Sequence, residues 1–203
     1  MSSIVEVFTG INDLFNQEQQ VTPLIKEINL KPYLQGDVNN LCGLYSAINS
    51  VRLVIYPSKI KPELLSRCIA VLSQKKKAGD FIGKGTYSSD IAYLLKELLV
   101  REYEIRFTKP FKKAVDLETY WSKLKRFLHQ HSNRAVIMLY YTEQAGHWTV
   151  IREITDNELI LFDSKRTKDL PKDICTTTEL SHSKTRLLMP TMTFLIKSTR
   201  FGG

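Results

Sequence analysis

Four stretches of the chain carry apolar residues at the three-and-four spacing of a helix face. In "NLCGLYSAINSVRLVI" the stripe is Leu44, Ala47, Ile48 and Val51, with Asn40 as the expected N-cap and Pro57 beyond the end. "KPELLSRCIAVLSQKKK" has Pro62 in a first-turn position and closes in lysines that suit a helix C-terminus. "SSDIAYLLKELLVREY" and "DLETYWSKLKRFLHQHS" repeat the 3.6-residue period. From residue 134 the pattern changes to β-rich runs, "RAVIMLYY", "HWTVIREI", "ELILFDS" and "LLMPTMTFLIKS", with "YEIRFT" a short earlier candidate. Helices followed by strands predict an α+β fold with an antiparallel sheet. No internal repeat or low-complexity linker divides the chain, so a single domain over residues 1–203 is expected.

With 203 residues, 43% of them apolar and 25% charged, the chain has enough material to bury one core. No run reaches the roughly 18 apolar residues of a membrane span. The opening "MSSIVEVFTGINDLF" lacks a basic n-region and a small-residue cleavage site. The expected location is therefore the cytoplasm, or delivery by a specialised secretion system without a cleavable signal, with no membrane partner. Cys42, Cys68 and Cys175 are odd in number and widely spaced, which argues against a disulfide framework and a CxxC metal site. Neither a metal nor an organic cofactor is expected. A net charge of +8 favours acidic partners, but the basic residues are scattered apart from "KKK" and "SKRTKDLPKD", so no nucleic-acid partner is expected.

Cys42 stands where a polar run becomes a helix, and free N–H groups and the helix dipole there stabilise a thiolate. Packing is the plain alternative for any single cysteine. Of the four histidines, His147 differs in opening a strand, "GHWTVIREI", that turns back through "ELILFDS" and Asp163. If Thr155, Asp156 and Asn157 form a three-residue loop, Asp163 lies opposite Thr149, on the face of His147 and diagonal to it. A two-residue turn at Asp156-Asn157 puts Asp163 on the other face, unless one bulge corrects the count. Thiolate, imidazole and orienting carboxylate are the three roles of a thiol hydrolase. A fourth role, donation to an oxyanion, falls to Gln35 with the backbone N–H of Cys42, Asn39 and Asn40 being rivals. Asn39, Asn40, Gly43, Gly146 and Trp148 flank these groups and are expected to line a substrate cleft. Cys68, among helical leucines, and Cys175 read as structural.

In that chain order, a glutamine ahead of a helix-starting cysteine, "GH" plus an aromatic on a strand, and Asp on the next strand, the sequence resembles the papain-like cysteine peptidases. "QGDVNNLCGLYSAIN" and "GHWTVIREITDNELILFDS" look closest to the peptidases that process double-glycine bacteriocin leaders. Ovarian-tumour-type deubiquitinases share a similar approach to the cysteine, whereas SUMO-type proteases use a different order. The resemblance implies a papain-like fold, with a helical part carrying Cys42 packed on a sheet carrying His147 and Asp163. It also implies hydrolysis of a peptide or isopeptide bond in a protein or peptide substrate, with cleavage after Gly-Gly as the narrower expectation. The terminal Gly202-Gly203 reads first as a chain end of no consequence and second as resembling the tails such enzymes accept. Two rivals remain: an acyl-transferring or deamidating enzyme of toxin or effector type using the same residues, and a non-enzymatic basic binding module.

Overall fold

The computed structural model describes residues 30–36, 40–77, 80 and 83–200. The helical patterns become α1 (Cys42–Val54), α2 (Leu64–Lys75), α3 (Ser88–Leu94) and α4 (Val100–Tyr103), and α5 (Leu117–His129). A π-helical turn, Leu95–Leu99, joins α3 to α4 in one rod. The strands are β1 (Ile105–Thr108), β2 (Arg134–Tyr141), β3 (Gly146–Ile154), β4 (Glu158–Leu161), β5 (Asp169–Pro171), β6 (Cys175–Thr176), β7 (Arg186–Leu188) and β8 (Phe194–Ser198). They form one sheet of order β1-β8-β2-β3-β4-β5, with β7 paired to β2 and β6 to β7. Every pairing is antiparallel except β6 with β7. The architecture is α+β, as the order of patterns predicts.

The sheet is buried on both faces, which explains why β2 is a continuous apolar run rather than an alternating one. Ala135, Ile137 and Leu139 face a core built with α1 to α4, while Val136, Met138 and Tyr140 face a second core built on α5. Helix α1 lies against β2, β3 and β8, with α2 and α3 also packed on it. Leu44, Ala47, Ile48 and Val51 are accordingly buried. Helix α5 closes the opposite face, its start capped by Asp116, whose carboxylate accepts the Thr119 N–H at 2.8 Å.

Three local expectations need correction. The run "LLMPTMTFLIKS" is not one strand, because a 3-10 turn at Pro190–Met192 separates β7 from β8. Asn40 is not the N-cap of α1: it has a left-handed φ of 72°, and its side-chain amide turns away to donate to Gly83 O at 2.9 Å. Leu41 takes the cap position, without a side-chain acceptor. Pro62 lies ahead of α2 rather than in its first turn, because Glu63 is the cap there.

The β3–β4 hairpin has the two-residue turn, not the three-residue loop: Thr155 N–H donates to Glu158 O at 2.9 Å, and Ile154 pairs with Leu159. Uncorrected, that register puts Asp163 opposite Val150, on the wrong face. A bulge between Ile151 and Glu153 leaves Arg152 unopposed and moves the register by one, so Ile151 pairs with Leu161 and Phe162 N–H reaches Val150 O at 2.8 Å. Ile151 and Ile154, three residues apart, thus enter the same core, and Asp163 returns to the face of His147.

As far as the hairpin is concerned, Arg152 is a counting device. A chain lacking Arg152 closes into a regular ladder with every neighbour on its present face. It should keep its sheet content by far-UV circular dichroism and its native Cys42 alkylation rate, whereas loss of that rate would show that the bulge does more than set register.

Candidate active site

Cys42 is the first residue of α1, and its sulfur accepts the backbone N–H of Trp148 at 3.5 Å, a contact that spans the sheet core from helix to strand. His147, the residue before Trp148, donates from Nε2 to Asp163 Oδ2 at 2.6 Å. An ionised carboxylate only accepts, so the proton lies on Nε2, and Nδ1 is buried without a hydrogen-bond partner. Nδ1 is thereby left to the thiol, the other group that interacts with the ring. The ring also meets the edge of Tyr140, its cross-strand neighbour, with centroids 5.5 Å apart. Asp163 Oδ1 accepts backbone N–H groups of Lys165 at 2.8 Å and Thr167 at 3.2 Å, which fixes the carboxylate toward the ring.

Each protonation state is set against the pull of burial. For Cys42 burial pushes the thiol pKa up, but the neighbouring His147 ring and the Trp148 N–H outweigh it, and the pKa falls below its ordinary value. For His147 burial disfavours the charged ring, yet Asp163 and Cys42 together hold its pKa up at about 9. Asp163 is lowered, burial again opposing and the His147 hydrogen bond prevailing. Cys68 and Cys175 have no such partner, and burial pushes both up to about 12. The arrangement favours a thiolate beside an imidazolium whose Nε2 proton is held by Asp163.

Gln35 arrives from the segment 30–36, which is held on two sides. Asn49 of α1, fully buried, accepts Tyr33 N–H at 2.8 Å and donates to Tyr33 O at 3.0 Å. Gln35 N–H donates to Ser164 O at 3.3 Å, and the Ser164 hydroxyl donates to Gln35 Oε1 at 3.1 Å. That second bond fixes which end of the Gln35 amide is the acceptor. Ser164 directly follows Asp163, so one strand end positions both the carboxylate and the glutamine.

The flanking residues divide differently from expectation. Trp148 is 4% exposed, donates its indole N–H to Thr86 O at 2.8 Å and packs in the core near Phe194, so it contributes its main-chain N–H rather than a cleft wall. Gly43 is a packing glycine: a Cβ there would stand 2.7 Å from Thr86 Cβ and 3.1 Å from Trp148 Cδ1. Gly146 makes room in the same way for the Tyr141 ring, at 2.7 Å. Asn40 is spent on Gly83. Asn39 and the terminal Gly202-Gly203 lie outside the described residues. Asn49, Thr86, Ser164 and Tyr140 are supporting residues that motif spacing does not announce. The signal for Asn49 was an asparagine on the apolar side of the helix, seven residues after Cys42 and fully buried.

No protein-family model, no curated protein and no solved structure matches the chain. Among the described residues no helix is long and apolar enough to cross a membrane.

Two outcomes follow from this geometry. Under native conditions near pH 7, iodoacetamide should label Cys42 alone. The rate should rise as pH climbs through the lowered Cys42 pKa, with faster labelling of Cys68 or Cys175 in peptide mass maps counting against the assignment. Gly43→Ala should cost about 1–3 kcal/mol of stability in urea denaturation. It should also slow Cys42 labelling, because Thr86 must shift and Trp148 shares its position.

Proposed function

We propose that the chain is a papain-like cysteine peptidase that cleaves a peptide or isopeptide bond. The observation that carries the reading is the His147–Asp163 pair at 2.6 Å on a ring whose other nitrogen is left to the Cys42 thiol. The Cys42 thiolate attacks the scissile carbonyl carbon, and the oxyanion is met by the Cys42 backbone N–H and the Gln35 side-chain amide. The His147 imidazolium gives its Nδ1 proton to the departing amine, leaving an acyl-enzyme thioester. Neutral His147 then takes a proton from water, hydroxide adds to the thioester, and the acid departs as the thiol is restored. Asp163 keeps the ring in the tautomer these steps require.

The test is incubation with peptides and ubiquitin-like conjugates ending in Gly-Gly, with cut sites read by mass spectrometry. Cleavage should vanish in Cys42→Ala and fall on the order of 10³-fold in His147→Ala. Asp163→Asn should lose less, because it orients the ring rather than transferring the proton. Gln35→Ala should lower kcat on the order of 10²-fold with little change in KM. The rate should decline as pH rises through about 9, where the His147 imidazolium is lost. No cleavage of any substrate by a chain whose Cys42 still labels would refute hydrolysis, and a product carrying an added amine would assign acyl transfer.

A further inference from the structure

A groove of about 700 Å³ opens on the far side of Asp163, between the segment 30–34 and the β4–β5 end of the sheet. Four cations line it: Lys31, Arg152, Arg166 and Lys168. Several cations elsewhere are paired, as Lys75 and Lys76 are with Asp90, Lys125 with Asp156 and Lys172 with Glu118. Among the described residues the side chains of these four make no hydrogen bond or ion pair. Two carboxylates share the lining, but Asp163 is already engaged by His147 and by the Lys165 and Thr167 N–H groups, leaving Asp169. The groove therefore holds an excess of positive charge, four cations against Asp169 and the already engaged Asp163.

Between the cations the lining is apolar, from Pro32, Leu34, Ile160 and Leu161. No aromatic side chain lines it for base stacking. Carboxylates spaced by apolar side chains match both features, and such a chain is an acidic peptide. Asp163 belongs to the groove wall and to the His147 pair alike, so an occupant lies beside the candidate active site.

We propose that this groove binds an acidic, apolar-interspersed segment of the protein substrate, the word substrate resting on the peptidase reading above. The full chain carrying Cys42→Ala would be titrated, at physiological salt, into a fluorescein-labelled dodecapeptide of alternating Glu and Leu pairs, with Gln-for-Glu and Lys-for-Glu versions beside it. Fluorescence anisotropy should show saturable binding of the Glu peptide at least tenfold tighter than the Gln peptide, and none of the Lys peptide. Arg152→Glu with Lys168→Glu should weaken binding at least tenfold, as should Lys31→Glu with Lys168→Glu, which leaves the bulge residue in place. Lys112→Glu with Lys113→Glu, an equal charge change away from the groove, should not.

Equal loss in that control, or no preference for Glu over Gln, would overturn the proposal by showing attraction to the net charge alone. Displacement by a single-stranded oligonucleotide at equal charge would overturn it in favour of a general polyanion site, and groove-dependent dimerisation in sedimentation would assign the face to a second copy. Failure of the two readings is separable. Peptide binding without cleavage by the Cys42 chain counts against the peptidase alone, and cleavage of other peptides without groove binding counts against the groove alone.

Discussion

The contact between His147 and Asp163 is a buried ion pair, and the surroundings are arranged around the cost of burying it. Charges taken out of water are stable only when their remaining hydrogen-bonding capacity is met. Here two backbone N–H groups meet the second carboxylate oxygen, and the thiol interacts with the free side of the ring. The signs of linkage follow from the shifts. Because the His147 pKa is raised from 6.5 to about 9, its contribution to stability is complete below 6.5 and lost as pH rises through about 9. Asp163 is lowered, so its contribution is present above the ordinary carboxylate value and lost as pH falls through the folded one.

Two further constraints hang on that pair. One is register: an even hairpin turn would send Asp163 to the other core, and Arg152 restores the count. The other is the join between Asp163 and Ser164, which ties the orienting carboxylate to the Gln35 amide through a single peptide bond. Asn49 adds a tie from the opposite side, since the helix that begins with Cys42 also grips the backbone of Tyr33. The sulfur and the ring thus rest on α1 and β3, which pack against each other, and the glutamine on a coil segment tied to α1 and to Ser164.

Much of this was legible because it is written in periodicity. The four helical stripes and the long strands are runs in which burial dictates spacing, and β2 appears with the same ends the pattern suggests. The pairing of His147 with Asp163 was legible only as a question of parity, because a turn length and a bulge are decided by backbone geometry that residue types barely mark. Strands β5 and β6 are too short to show alternation. Asn40 misled because a capping residue type sat one position early, where the chain turns left-handed to reach Gly83. Asn49, Thr86 and Ser164 left no motif because each acts through main-chain groups or a single side-chain bond to a residue distant in sequence.

The bond from Trp148 N–H to the Cys42 sulfur closes a loop of 106 residues. Contacts of such separation form late, after local helices have already gathered, because the entropy of closing the loop must be overcome first. While a ribosome is still extending the chain, α1 and its thiol emerge long before the strand bearing His147 exists. In that interval Cys42 has neither the ring nor the Trp148 amide to draw off its proton, and it behaves as an ordinary thiol. The surroundings that lower the Cys42 thiol are complete only with the β-sheet, so nascent and half-folded copies carry an ordinary cysteine by topology alone.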